Sequence, residues 1–142
     1  MRALDEIDFK ITRVMERDTE VPYDILADEL GVSLTTVYNR MRRLKRMGVI
    51  KRITAEIDYE KLGYGIRALV GVSVLPSLKA EALTRFKRLD QIRVIYETTG
   101  RYDYLIEVLA RQTDDLGNLL TEKMGKIDGV QRTETMMIIS LE

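Results

Sequence analysis

Cysteine and histidine are both absent from these 142 residues, and the two absences remove most of the usual catalytic and metal-binding chemistry. There is no thiolate nucleophile, no imidazole ligand, no zinc finger and no Ser-His-Asp or Cys-His relay. A reaction here would have to run on carboxylates, lysine, tyrosine or backbone groups. With no disulfide framework, a chain of this size must be stabilised by core packing and by self-association, and a cytoplasmic setting is expected. Long apolar runs are lacking too. No stretch approaches the ~20 residues of a membrane span, and the opening Met1 to Asp8 is charged and amphipathic, without the apolar core of a signal peptide. Net charge is also missing, since 23 Lys and Arg stand against 23 Asp and Glu. That excludes a generally basic nucleic-acid coat and leaves only a local patch to bind phosphates. What is present, 45% hydrophobic and 32% charged residues, is the composition of a globular protein that buries a real core.

The hydrophobic period changes along the chain. Up to Met47 the apolar residues recur at helical spacing, and after Ile66 they fall mostly in strand-length runs, with Gly63-Tyr64-Gly65 between. The expected organisation is a helical domain over 1–50, a strand and connector over 51–65, and a second domain over 66–142. In the first part, Ile7, Ile11, Val14 and Met15 make one stripe of a helix from about Asp5 to Arg17, with Asp5, Glu6 and Asp8 at its positive end. Pro22 opens a short second helix that Gly31 stops. Ser33 caps a third running to about Met47, and Gly48 stops it. Helix, glycine turn, helix is the helix-turn-helix arrangement.

The charge distribution points that motif toward DNA. Between Leu30 and Ala55 no residue is acidic, while Arg40, Arg42, Arg43, Lys45, Arg46, Lys51 and Arg52 are cationic. At about 100° per residue, Val37, Met41 and Leu44 turn inward, and Thr35, Asn39, Arg42 and Arg46 point roughly opposite, flanked by Thr36 and Arg43. Hydrogen-bonding residues early and cations late suit a recognition helix, which reads base edges with its first turns and meets phosphates with its last. A charge run can also be a merely solvated face, but the third helix has no Glu at the i−4 positions to compensate its arginines. The candidate DNA contacts are Ser33, Thr35, Thr36, Asn39, Arg40, Arg42, Arg43 and Arg46. The β-branched segment Val49 to Ile57 is expected as a strand or short wing, whose Lys51 and Arg52 either touch the DNA backbone or guard an exposed edge.

The second half reads as strand (67–75), helix (77–89), strand (92–98), strand (102–110), helix (113–127) and strand (130–141), the βαββαβ order of a ferredoxin-like domain. The fold class is therefore α+β, a winged-helix-like helix-turn-helix domain followed by a ferredoxin-like one. Two helices cover one sheet face. With Leu69, Gly71 and Leu75 the other face is partly apolar, and a second copy of the chain is the expected cover, giving a two-fold homodimer that presents two recognition helices.

Between the two middle strands lies Glu97-Thr98-Thr99-Gly100-Arg101-Tyr102-Asp103-Tyr104. Gly100 permits positive φ and close approach to backbone N–H groups, which suits a carboxylate, and Asp103 suits an ammonium, so the loop is either a free amino-acid site or a plain hairpin turn. Thr133 and Thr135 either add hydroxyls to such a pocket or are simply β-formers. Asp114 and Asp115 sit in a first helical turn, and Tyr102, Tyr104 and the methionines read as core filling. No phosphate-binding glycine loop occurs.

Taken together, these residues resemble the Lrp/AsnC, or feast/famine, transcription regulators, over nearly the whole length. The likeness lies in Leu4-Asp5-Glu6-Ile7-Asp8, in Val32-Ser33 through Val37, Arg40, Leu44 and Gly48-Val49-Ile50, and in Thr99-Gly100-Arg101-Tyr102-Asp103. The resemblance implies a DNA-binding domain, a ferredoxin-like domain that dimerises and assembles further, commonly to octamers, and small effectors, often amino acids, bound between dimers. It places Gly100, Tyr102 and Asp103 at or near the effector site, with Thr133 and Thr135 as candidates from a neighbouring subunit. Lys45-Arg46 departs from the acidic residues expected after Leu44. The function expected is a sequence-specific, double-stranded-DNA-binding regulator modulated by an amino-acid-like effector, with no enzymatic activity, no metal and no resident cofactor. The alternative is an architectural protein that binds DNA and multimerises without a ligand.

Overall fold

The computed structural model describes residues 3–141; Met1 and Arg2 of the opening segment and Glu142 of the last domain lie outside them. The chain forms two compact units that divide between Glu56 and Ile57, so the 51–65 segment is shared between them.

The first unit is three helices, α1 (Glu6–Arg17), α2 (Tyr23–Leu30) and α3 (Leu34–Arg46). Each begins and ends where local chemistry dictates. Asp5 and Asp8 form a reciprocal capping box on α1, each carboxylate accepting the other's backbone N–H at 3.0–3.1 Å. Gly31 ends α2 at φ 67°, a conformation that costs a side-chain-bearing residue energy. Ser33 then caps α3, its Oγ accepting the Thr36 N–H at 3.1 Å. The apolar stripes meet in one cluster of Ile11, Met15, Leu26, Ala27, Val37, Met41 and Leu44.

The strand expected over 49–57 does not form. Ile50 closes the helical unit by donating to Leu44 O, but residues 51–58 are exposed and irregular. β-branched residues favour a strand only where a partner ladder satisfies the backbone, and no other segment of the described chain supplies one.

The second unit is β1 (Ile66–Val74), a 3₁₀ turn (Pro76–Leu78), α4 (Lys79–Phe86), β2 (Ile92–Glu97), β3 (Tyr104–Ala110), α5 (Thr113–Asn118) running into a π-helical turn (Leu119–Met124), and β4 (Val130–Met137). The sheet is antiparallel throughout in the order β2-β3-β1-β4, the ferredoxin-like arrangement. On one face Ala68, Val70, Val72, Tyr104, Ile106 and Val108 pack beneath Ala82, Phe86, Leu116 and Leu119. Directly paired residues share a face, so Leu69, Gly71 and Ser73 lie with Leu105, Glu107, Tyr96, Glu134 and Met136 on the other, which no helix of this unit covers. Four strand ends fall inside the expected ones, β1 ending at Val74 rather than Leu75. β2 ends at Glu97 rather than Thr98, and β4 ends at Met137 rather than Leu141. β3 starts at Tyr104 rather than Tyr102, because Asp103 already turns its N–H onto Val72 O and Tyr102 lies across the sheet.

Candidate nucleic-acid interface and effector loop

On α3, Thr35, Asn39, Arg42 and Arg46 are exposed, and Thr36 is half-buried against Ser33, whose hydroxyl it meets at 2.8 Å. Ser33 is exposed but occupied as the cap. Tyr38, three residues after Thr35 and four before Arg42, shares this outward face, half exposed, with its ring edge-on to Tyr23 at 4.9 Å. Sequence reasoning passed over Tyr38, although its spacing from Thr35 and Arg42 marks it. The face combines hydroxyl, amide and phenol groups with guanidinium groups and carries no carboxylate, so it can hydrogen-bond base edges and neutralise phosphates.

Arg40 and Arg43 point elsewhere. Arg40 Nη1 lies 2.6 Å from Asp5 Oδ1 and 3.0 Å from Asp8 Oδ1, and Arg43 Nη1 lies 3.2 Å from Asp8 Oδ2, with its other nitrogen donating to Ala3 O. Their side chains are only 12% and 14% exposed, and Asp8 is 1% exposed. The compensation that α3 lacks along its own length thus comes from the first turn of α1. Burial works to raise the Asp8 pKa, but the Asp5 N–H and Arg40 outweigh it and hold the carboxyl below the usual range. Arg40 is correspondingly raised, first by its hydrogen bond to Asp5. These two guanidinium groups fix α3 to α1, and the outward cations are Arg42, Lys45 and Arg46.

In the second unit the 97–104 loop is held from inside. Thr98 N–H donates to Asp103 O at 3.0 Å and its hydroxyl to Tyr102 O at 2.8 Å. Gly100 takes φ 105° and a Cβ there would meet nothing within 4 Å, so glycine is required for the turn and the space above it is open. Asp103 is already engaged: Oδ2 accepts the Val74 N–H at 2.8 Å, and Oδ1 lies 3.6 Å from Lys79 Nζ. Lys79 also donates to Glu97 at 3.2 Å, a bond that raises its pKa above the ordinary lysine value, and sits over the Tyr104 ring. Neither Lys79 nor this bracing was foreseen from the sequence.

Tyr102 crosses the open sheet face. A Cβ on Gly71 would lie 2.7–2.8 Å from three of its ring carbons, so only glycine lets the ring lie there. Its hydroxyl donates to Glu134, which also pairs with Arg101 at 3.0 Å. That hydrogen bond raises the Tyr102 pKa and lowers that of Glu134. Thr133 and Thr135 are not brought to this cluster. They pair with Val72 and Val70 on the helix-covered face, while Glu134 between them pairs with Gly71 on the open one. Within one chain the loop residues gather with Glu134 and Arg101, not with the threonines. Among the described residues no group of three or more carboxylates could hold a metal ion, and no helix is long and apolar enough to cross a membrane.

Comparison with known proteins matches both units. Residues 67–141 match a family described as the Lrp/AsnC ligand binding domain, and residues 4–51 match one described as winged helix-turn-helix DNA-binding. The HTH-type transcriptional regulator FL11 of Pyrococcus furiosus is 33% identical over 138 residues, which cover 97% of this chain and 91% of that protein. The solved structure of E. coli AsnC is similar at a TM-score of 0.88 and 28% identity, covering 99% of this chain and 95% of its own. A feast or famine regulatory protein from M. tuberculosis, complexed with L-methionine, is similar at a TM-score of 0.89 and 28% identity, covering 98% and 94%.

Proposed function

The chain belongs to the Lrp/AsnC family of transcriptional regulators, with a DNA-binding helix-turn-helix and a ligand-binding domain, and from that premise we propose how it works. It is a sequence-specific regulator that reads double-stranded DNA with the outward face of α3, and a small amino-acid-like effector changes its DNA affinity or its assembly. The observation that carries this reading is the acid-free face of Thr35, Tyr38, Asn39, Arg42 and Arg46. Thr35, Tyr38 and Asn39 meet base edges and Arg42, Lys45 and Arg46 meet phosphates, with Arg40 and Arg43 holding the helix in place.

The effector site is the loop around Gly100, beside Tyr102 and the Glu134–Arg101 pair. The L-methionine complex of the M. tuberculosis relative supports an amino acid as the ligand class. An effector carboxylate approaches Arg101 and the open side of Gly100. Its ammonium competes with Lys79 for Asp103, and that exchange links occupancy to the position of α4. Thr133 and Thr135 join the site only from another copy. The uncovered sheet face, with Leu69, Leu105, Tyr96 and Met136, supports dimerisation through the sheets, which places two recognition helices against two half-sites. No reaction is catalysed.

The test is a titration of the full chain against DNA from its own upstream region and against random DNA, at two salt concentrations, with and without a pool of amino acids. Selective, salt-dependent binding that one amino acid strengthens or weakens is the expected result. Equal affinity for both DNAs would replace sequence-specific regulation with architectural binding. Selective binding indifferent to every amino acid would remove the effector from the proposal, since a ligand of equal affinity for both states shifts nothing.

A further inference from the structure

Seven arginines lie in the described part of the second unit, and five are engaged by a neighbour. Arg67 pairs with Glu107, Arg101 and Arg132 with Glu134, and Arg93 and Arg111 lie over the rings of Tyr59 and Tyr64. The two whose side chains have no such partner among the described residues, Arg85 and Arg88, line one and the same cavity. This cavity, about 340 Å³, runs between α4 and the segment that follows α5, away from the effector loop. Glu81 and Arg85 stand at i and i+4 on α4, Arg88 lies in the turn that follows it, and Lys123 and Lys126 face them from across the groove. Leu89 and Ile127, both packed on the core, form its floor.

The far wall has an unusual backbone. Leu119–Met124 is π-helical, and the turn ends where Gly125 N–H donates to Leu120 O at 2.9 Å, five residues back. A Cβ at Gly125 would lie 2.7 Å from that same carbonyl, so the wide turn is tied to glycine. Such turns are energetically poorer than α-helix and recur at functional sites. Here the turn carries Lys123 and leads into Lys126.

We propose that this groove is an anion-binding site for a small metabolite bearing two or more phosphate or carboxylate groups, distinct from the effector loop. The volume fits a small molecule. Two guanidinium forks without partners suit bidentate recognition of phosphate or carboxylate, and Lys123, whose ammonium donates to the neutral Gln91, adds charge, while Lys126 is already paired with Glu122. Glu81 and Asp128, also lining the groove, oppose an extended phosphate backbone such as that of DNA and favour a compact anion seated between the arginines. Among the described residues no aromatic ring lines the cavity, so a stacked base is not part of the recognition. The site uses no residue of the DNA-facing surface, and its test needs no DNA.

The experiment is calorimetric titration of the full chain with pyrophosphate and, separately, with citrate, paired with amide chemical-shift mapping. The two probes distinguish a phosphate ligand from a polycarboxylate. The expected result is saturable binding of at least one probe, with shifts at Leu89, Gly125 and Ile127. Arg85→Gln and Arg88→Gln each weaken it about tenfold, Arg88→Lys retains part of the affinity, and Lys87→Gln, outside the groove, leaves it unchanged. Because Arg85 and Arg88 are exposed and unpaired, these variants keep the fold, which the same spectra verify. The proposal is overturned if neither probe binds saturably, if the shifts fall around Asn39 and Arg42 instead, or if the double variant binds as well as the parent. It is equally overturned if the double variant loses affinity only for DNA, which would make the groove a phosphate contact of the duplex.

Discussion

Asp8→Asn tests the account of how α3 is held. The replacement keeps an oxygen to accept the Asp5 N–H, so the capping geometry survives, but it removes the charge that faces Arg40 at 3.0 Å and Arg43 at 3.2 Å. At an effective dielectric constant near 20, unit charges about 4 Å apart attract by about 4 kcal/mol. The carboxylate, 1% exposed, has lost several kcal/mol of hydration to sit there, so the net worth of the pair is much smaller than its attraction. Taking away one member is different, because the surviving charge is left buried, typically at a cost of about 3–5 kcal/mol. Arg40 keeps Asp5 at 2.6 Å, and both guanidinium groups have an edge toward solvent. Those two features bring the expected loss down to about 2–3 kcal/mol.

The assay is urea denaturation of the full chain, followed by amide signals of α1 and α3 so that the helical unit is read separately from the sheet unit. A double-mutant cycle with Arg43→Gln should give a coupling of about 1–2 kcal/mol. The pH dependence has a fixed sign. Asp8 is depressed in the folded state, so its contribution is complete above the pKa of the unfolded carboxyl and is lost as pH falls through the folded value. The gap between parent and Asp8→Asn should therefore be full at neutral pH and should close below about pH 4. A loss under about 0.5 kcal/mol at pH 7, or a gap that persists in acid, would refute the argument that this charge fixes α3.

The division of labour on α3 predicts that Asn39→Ala relaxes sequence preference at the contacted base by about 1–3 kcal/mol, while Arg42→Ala weakens every DNA alike and lowers the salt slope by about one; fluorescence-anisotropy titrations at several salt concentrations separate the two. Ser33→Ala removes the acceptor of the Thr36 N–H and should cost the helical unit about 1 kcal/mol in the same denaturation experiment. Gly71→Ala places a methyl group against three ring carbons of Tyr102, costing about 1–3 kcal/mol. With the ring displaced from Glu134, the Tyr102 phenol should ionise at lower pH than in the parent, which ultraviolet titration detects.

The helices and the order of strands were legible because their signals are local. Gly31 and Ser33 sit at the α2–α3 junction with the conformations their chemistry favours, and Pro76 and Gly129 mark strand ends that a contact-free reading finds. The 49–57 segment misled because β-branched composition reports how a residue suits a strand, not whether a partner strand exists. The inward turn of Arg40 and Arg43 was half legible. At about 100° per residue Arg40 lies only about 60° from Val37, beside the buried stripe and not opposite it. The missing half was the neighbour. Asp5 and Asp8 are three apart on α1 just as Arg40 and Arg43 are on α3, but nothing local says that these two turns meet.

The same distinction decides the effector loop. Strand periodicity says only that Thr133 and Thr135 share one face and Glu134 the other; which face the loop crosses depends on register and on where a ring can fit. Gly71 answers both. It is paired with Glu134, and its missing side chain is the space that Tyr102 occupies. Thr133 and Thr135 therefore lie on the side of β4 that looks toward the helices of their own chain. The loop's partner within the chain is a carboxylate already accepting the Tyr102 hydroxyl and paired with Arg101. An effector that draws its own carboxylate onto Arg101 must loosen that guanidinium from Glu134, and Glu134 holds the tyrosine that covers the centre of the sheet. With the proposed effector site at the loop, ligand binding there and the shape of the open sheet face would be coupled through these three side chains. Glu134→Gln, which keeps an acceptor for the tyrosine and removes the charge that competes for Arg101, should tighten a carboxylate effector while leaving the sheet intact. Weaker effector binding in that variant would mean that Glu134 takes part in holding the ligand and does not compete with it.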